Sequence, residues 1–224
     1  MPDSEFEVPD DAVRAMTDRI RRVLDTPGIA RLVAAHFDPA GPFVGRDLDQ
    51  LGDNPPNGIT RDDLLAVSLL GIIWRPSAVR RILGADADAL ADLLSPITNT
   101  DLWVADDALL KAASAAWHQL QDAGAGPVGA GKLLARKRPR LVPIVDRVIK
   151  AALKPPTNRV WATLRSCLQN EELRLRVELV RPAGADDISL LRLLDVAVWM
   201  RHSRSRGARR YREEAGVPET EPEG

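Results

Sequence analysis

Apolar positions recur at helical spacing along most of the chain. Val13, Met16, Ile20 and Val23 or Leu24 predict an amphipathic helix over residues 10–25. Pro27 opens a second helix with Ile29, Leu32, Val33 and Phe37 on its inner face. Thr60 followed by Asp63 has the form of a reciprocal helix cap. The run from Leu64 to Leu70 behind it is apolar on nearly all sides and predicts a central, buried helix. Short helices are expected over residues 77–83 and 86–94. A longer one starts at Asp106, with Leu109, Ala113, Ala116 or Trp117, and Leu120 on one face. Residues 161–180 predict a helix or helix pair, with Cys167, Leu168, Leu173, Leu175 and Leu179 available for burial. A last helix starts near Ser189, apolar from Leu190 to Met200 and basic from Arg201 to Arg212.

Breakers separate these segments. Residues 38–59 hold four prolines and four glycines, too many for a long element, and read as a loop over the core or a flap. No segment alternates with period two, so the expected fold is all-α: a single helical domain over residues 9–212. Residues 213–224 have the acidic composition of a disordered tail. One cysteine excludes an internal disulfide framework. The N-terminus lacks a signal-peptide pattern, and no apolar run is long enough to span a bilayer. A cytoplasmic protein with no membrane association is the expectation, and the sequence leaves the oligomeric state open.

Charge changes this picture. The chain's net charge is −1, yet residues 1–131 contain 11 Lys/Arg and 20 Asp/Glu, while residues 132–212 contain 20 Lys/Arg and 7 Asp/Glu. Such asymmetry points either to a polyanionic partner or to two halves that attract one another.

The candidate chemistry sits where the sign changes. Gly126-Pro127-Val128-Gly129-Ala130-Gly131-Lys132 has the spacing of a phosphate loop. Leu133, however, stands where a magnesium-binding hydroxyl is needed, and a helix precedes the motif instead of a strand. A helix, a Gly-x-Gly turn and a second helix fit a helix-hairpin-helix better, in which backbone amides face a nucleic-acid phosphate. A plain turn between two core helices is the competing reading. On the hairpin reading, Gly124, Gly126 and Gly129 permit close approach, and Lys132, Arg136, Lys137, Arg138 and Arg147 add a salt-dependent grip on nucleic acid, with duplex DNA the expected partner. His36, His118 and His202 show no metal-ligand spacing, and neither a metal nor a cofactor is expected.

Residues 112–153, with Gly124-Ala125-Gly126, the Pro-bearing connection and Asp146, resemble the helix-hairpin-helix DNA glycosylase superfamily. The resemblance implies that Asp146 promotes N-glycosidic cleavage of a flipped-out base. Val128 occupies the position of the Schiff-base lysine, so the reaction implied is monofunctional. Asp146 has a structural alternative, complementing the first turn of a helix or pairing with Arg138 or Arg147. A longer stretch, from Phe37 to Met200, resembles an uncharacterised domain family common in actinobacteria, carried by Gly131 to Leu141 and Leu191 to Met200. The expected function is therefore a nucleic-acid-binding protein, either a DNA N-glycosylase or a non-enzymatic DNA-binding module. A protein-interaction domain with a basic face is the further alternative.

Overall fold

A computed structural model describes residues 6–218. All regular structure in that span is helical, as the apolar periodicity predicts. In chain order the helices are α1 (Asp10–Leu24), α2 (Ile29–Phe37), α3 (Asp47–Gln50), α4 (Arg61–Leu69) and α5 (Pro76–Arg80). A π-helical turn over Arg81–Ala85 leads into α6 (Ala87–Leu94), and a 3₁₀ turn (Leu102–Val104) into α7 (Asp107–Asp122). There follow α8 (Gly126–Lys137), α9 (Arg147–Leu153), α10 (Val160–Leu168), α11 (Glu171–Glu178), α12 (Leu190–His202) and α13 (Arg206–Glu214). No helix among the described residues is long and apolar enough to cross a membrane.

Within the expected 9–212 span, packing groups the chain into two compact units. The first joins the segment up to Gly45 to the segment from Val145 onward; the second is Arg46–Ile144. In the first unit α12 is the centre, packed by α1, α2, α9, α11 and α13. Its Leu191, Leu193, Leu194, Val198 and Met200 are all buried, which explains the nearly continuous apolar run. The basic stretch after it is a separate helix, because Ser203 breaks α12 and Ser205 caps α13 through Oγ to the Ala208 amide. Glu213 and Glu214, assigned by composition to a tail, belong to α13, and Val217 is buried. Residues 219–224 of that expected tail lie outside the described residues.

Leu175 and Leu179, expected inside, are exposed. They border an open groove of about 590 Å³ shared with Leu24, Ile29 and Val180. Cys167 is buried as expected, and burial raises its thiol pKa.

The second unit is built on the α7–α8 hairpin, with α6 against α7 and α4 against α8. The connection has a local cause. Gly124, at φ +94°, follows the last turn of α7, with its amide bonded to the Gln121 carbonyl at 2.8 Å and that of Ala125 to Leu120 at 3.0 Å. These two bonds define a Schellman stop, which favours glycine at that position. Thr60 and Asp63 form the reciprocal cap of α4 that their spacing predicts. α4 itself is not apolar-packed all round: Leu65 and Leu69 face outward.

Candidate functional site

The cations after the hairpin turn are interior. Lys132, Arg136, Lys137 and Arg138 are all buried, on one unbroken stretch from α8 into its C-terminal cap. Burial takes them off the surface where the expected phosphate grip would lie, and their donors bond backbone carbonyls, amide oxygens and one carboxylate of their own unit.

Each cation has a distinct task. Lys132 Nζ donates to the Leu70 carbonyl at 2.9 Å, at the C-terminal end of α4. The Arg136 guanidinium closes the end of α3, donating to the Leu48 carbonyl and, at 2.5 Å, to that of Leu51. Arg138 reaches the end of α6, donating to Leu94 O at 2.7 Å and to Ile97 O. A helix leaves its last carbonyls without intrahelical partners and carries partial negative charge there, so a buried cation offsets both deficits at once. One face of α8 and its cap thus terminates three other helices.

The same side chains fix the proline-rich segment. Lys137 Nζ donates to Asn54 Oδ1 at 2.9 Å and Pro55 O at 3.1 Å; Arg138 donates to Pro56 O at 2.6 Å and Asn57 Oδ1 at 3.1 Å. Irregular backbone has no ladder to satisfy its carbonyls, and the two cations substitute for one. Residues 54–57 are therefore tied to α8.

One carboxylate compensates this cluster. Asp63 Oδ1 accepts from Arg136 Nε at 2.6 Å, and Oδ2 pairs with Lys137 Nζ while accepting from the Thr60 amide at 2.7 Å. All three charged side chains are fully buried. Burial lowers the pKa of Lys137, against the opposing pull of Asp63, and burial likewise lowers that of Arg138. The pair of Asp63 with α8 is the feature the sequence reading missed. Its signal was a carboxylate at position 63, read only as a cap, at the head of an apolar run.

The glycines have structural work as well. Gly124 stops α7, and a Cβ there would lie 3.2 Å from Ala78 Cβ. Gly129 is buried beneath Trp74, whose ring would stand 3.2 Å from a Cβ. Gly126 is open, with no atom near its missing side chain, and α8 starts without a side-chain cap. The turn thus joins α7 to α8 with the cations of residues 132–138 buried behind it.

Asp146 and Arg147 belong to the first unit, the glycines and buried cations to the second. Asp146 is the N-cap of α9: its Oδ1 accepts the Ile149 amide at 3.0 Å. Pro143 precedes the helix start by several residues. Capping accounts for the carboxylate without any chemistry on a base. Asp146→Ala should cost about 1 kcal/mol in urea denaturation, whereas Asp146→Asn, which also caps well, should stay within a few tenths of wild type. Of the five cations assigned to a nucleic-acid grip, only Arg147 is exposed.

A group of exposed arginines lies elsewhere in the first unit. Arg204, just before α13, and Arg206, Arg209 and Arg210 on it are exposed within seven residues. Arg210 pairs with Glu214 at 2.7 Å; the other three have no acidic partner among the described residues. Arg212, by contrast, is buried and donates to the Met200 carbonyl at 2.6 Å and to that of Ser203 at 2.8 Å, fixing the α12–α13 break.

These features define a class: an all-helical protein in which a helical hairpin carries its cations inward to terminate neighbouring helices, while a separate arginine-rich helix faces solvent. The chain belongs to the family of unknown function DUF6308, which matches residues 29–202. No curated protein and no solved structure matches the chain, and no similarity to a DNA glycosylase accompanies the family match.

Proposed function

We propose that the protein binds the phosphate backbone of nucleic acid, non-enzymatically and without reading sequence, through the arginine face of α13. The observation that carries this reading is the group of three exposed, unpaired arginines, Arg204, Arg206 and Arg209, joined by Arg210. Arginine presents a planar fork suited to phosphate oxygens, and each neutralised phosphate releases condensed counterions. Cations at the positive end of a helix dipole are unfavourable by themselves, so an anion there relieves a local electrostatic cost. Arg147 and Lys150 add two more exposed cations on α9 of the same unit. The hairpin glycines and Lys132 to Arg138 take no part, and Asp146 remains a helix cap.

Fluorescence anisotropy with a random-sequence duplex tests the reading. Wild type should bind at low salt, with log K falling against log salt at a slope of about −3 to −4, as expected for contacts from four arginines. Reversing three charges (Arg204→Glu, Arg206→Glu, Arg209→Glu) should weaken binding by about a hundredfold or more and flatten the slope. Absence of binding at low salt, or binding indifferent to the triple change, would overturn the proposal.

A further inference from the structure

The second unit carries a different kind of surface. Leu65 and Leu69 lie one turn apart on α4 at 54 % and 45 % exposure, and Ile73 follows at 94 %. Four residues of helix place side chains about 6 Å apart on one face. Residues 72–75 are not helical, and burial alternates along them: Ile72 and Trp74 sit against Gly129, while Ile73 and Arg75 are exposed. Trp74 Nε1 donates to the Leu64 carbonyl at 2.8 Å, so the segment that carries exposed Ile73 is tied back to α4.

Basic residues stand on either side of these apolar positions in the sequence. Arg61 opens α4, Arg75 follows Ile73 by two residues, and Arg80 ends α5; all three are exposed with no acidic partner among the described residues. Large aliphatic groups left this open are unfavourable in water unless something covers them, and an ordered anchor such as Trp74 would not be needed for a merely solvated loop.

We infer that this face docks an acidic amphipathic helix of a protein partner, with its apolar side on Leu65, Leu69 and Ile73 and its carboxylates toward Arg61, Arg75 and Arg80. Local charge selects this occupant. A second copy of the same face would bring arginines against arginines, which repels. Outside its buried charges, Arg46–Ile144 carries seven Lys/Arg against eleven Asp/Glu, which disfavours an extended polyanion such as duplex DNA. A short acidic helix needs only the local cationic rim, and helix-in-groove recognition uses the same four-residue anchor spacing. The inference is independent of the α13 reading, since it uses other residues in the other unit.

The test uses the full chain and two designed peptides of about 18 residues, long enough for five helical turns. Both carry leucines at every third or fourth position; one has glutamates elsewhere, the other lysines. The acidic peptide should bind saturably by calorimetry in the micromolar range, and the basic peptide should not. Leu69→Ser with Ile73→Ser, and separately Arg75→Glu with Arg80→Glu, should each weaken binding by at least about tenfold. These are surface positions, and circular dichroism should show an unchanged fold. Equal binding of both peptides, no binding of the acidic one, or binding unaffected by either pair overturns the inference. So does the appearance, through Ile73, of self-association, duplex binding or binding to anionic phospholipid vesicles in place of peptide binding.

Discussion

Asp63→Ala is expected to remove about 3–5 kcal/mol of stability, the largest effect of any single substitution considered. The carboxylate is the shared partner of Arg136 and Lys137, and all three side chains are fully buried. Its removal leaves two cations in the interior without an anion, and takes away the reciprocal cap on Thr60 as well. Lys137 can relieve part of the cost by losing its proton, since burial already lowers its pKa and Asp63 is what opposes that shift. Arg136 would be left with carbonyl partners alone. Urea denaturation of the variant should therefore show a marked drop in midpoint at neutral pH, and a smaller deficit at alkaline pH as Lys137 becomes neutral. An unfolding free energy within about 0.5 kcal/mol of wild type would mean that the buried ion cluster is not what holds α4 to α8.

The second large effect is acid sensitivity from His36. Its ring stacks on Phe43, with centroids 5.2 Å apart, and stands edge-on to Trp199 at 6.0 Å. Its Nδ1 is buried with no hydrogen-bond partner among the described residues. Burial, reinforced by the positive charge of Arg192, lowers its pKa from 6.5 to about 4. The unfolded chain thus takes up the proton first as pH falls. The stability associated with neutral His36 is complete above pH 6.5 and is lost progressively toward pH 4. The full loss amounts to about 3 kcal/mol. His36→Phe, which keeps an aromatic ring without a titrating nitrogen, should flatten the profile over that interval. A wild-type profile already flat between those limits would contradict the burial of the ring.

Much of the architecture was legible in the sequence. The cap at Thr60, the turn at Gly124 and the apolar run of α12 each follow from local chemistry that tertiary packing did not override. Exposure was harder to read. Leu65 and Leu69 look like core residues because one-dimensional periodicity shows a helix's apolar content, not which sides find a neighbour. Leu175 and Leu179 failed as core residues for the same reason.

The basic run was misread for a more specific cause. A cluster of Lys and Arg is ordinarily a solvated or ligand-facing surface, since burial of a charge is costly without compensation. Here the compensation comes from carbonyls at the ends of α3, α4 and α6 and from Asp63, all remote in sequence from Lys132 to Arg138. Nothing within the run announces those partners. The arginines of α13 were visible from the start, but only the burial of the larger cluster brings them forward as an exposed basic group. Asp146 illustrates a third limit: a carboxylate at a helix start has the same local sequence whether it caps, pairs or catalyses.

The claim on which the account turns is that the cations of α8 face inward, and mild amine acetylation followed by mass spectrometry reads it directly. The chain has five lysines: Lys111, Lys132, Lys137, Lys150 and Lys154. In the native protein Lys111 and Lys150 should be modified readily, while Lys132 and Lys137 stay protected until denaturant unfolds the chain. Modification of Lys132 and Lys137 at the rate of Lys150 under native conditions would contradict the inward placement, and with it the ground for proposing α13 rather than the hairpin as the phosphate-binding surface.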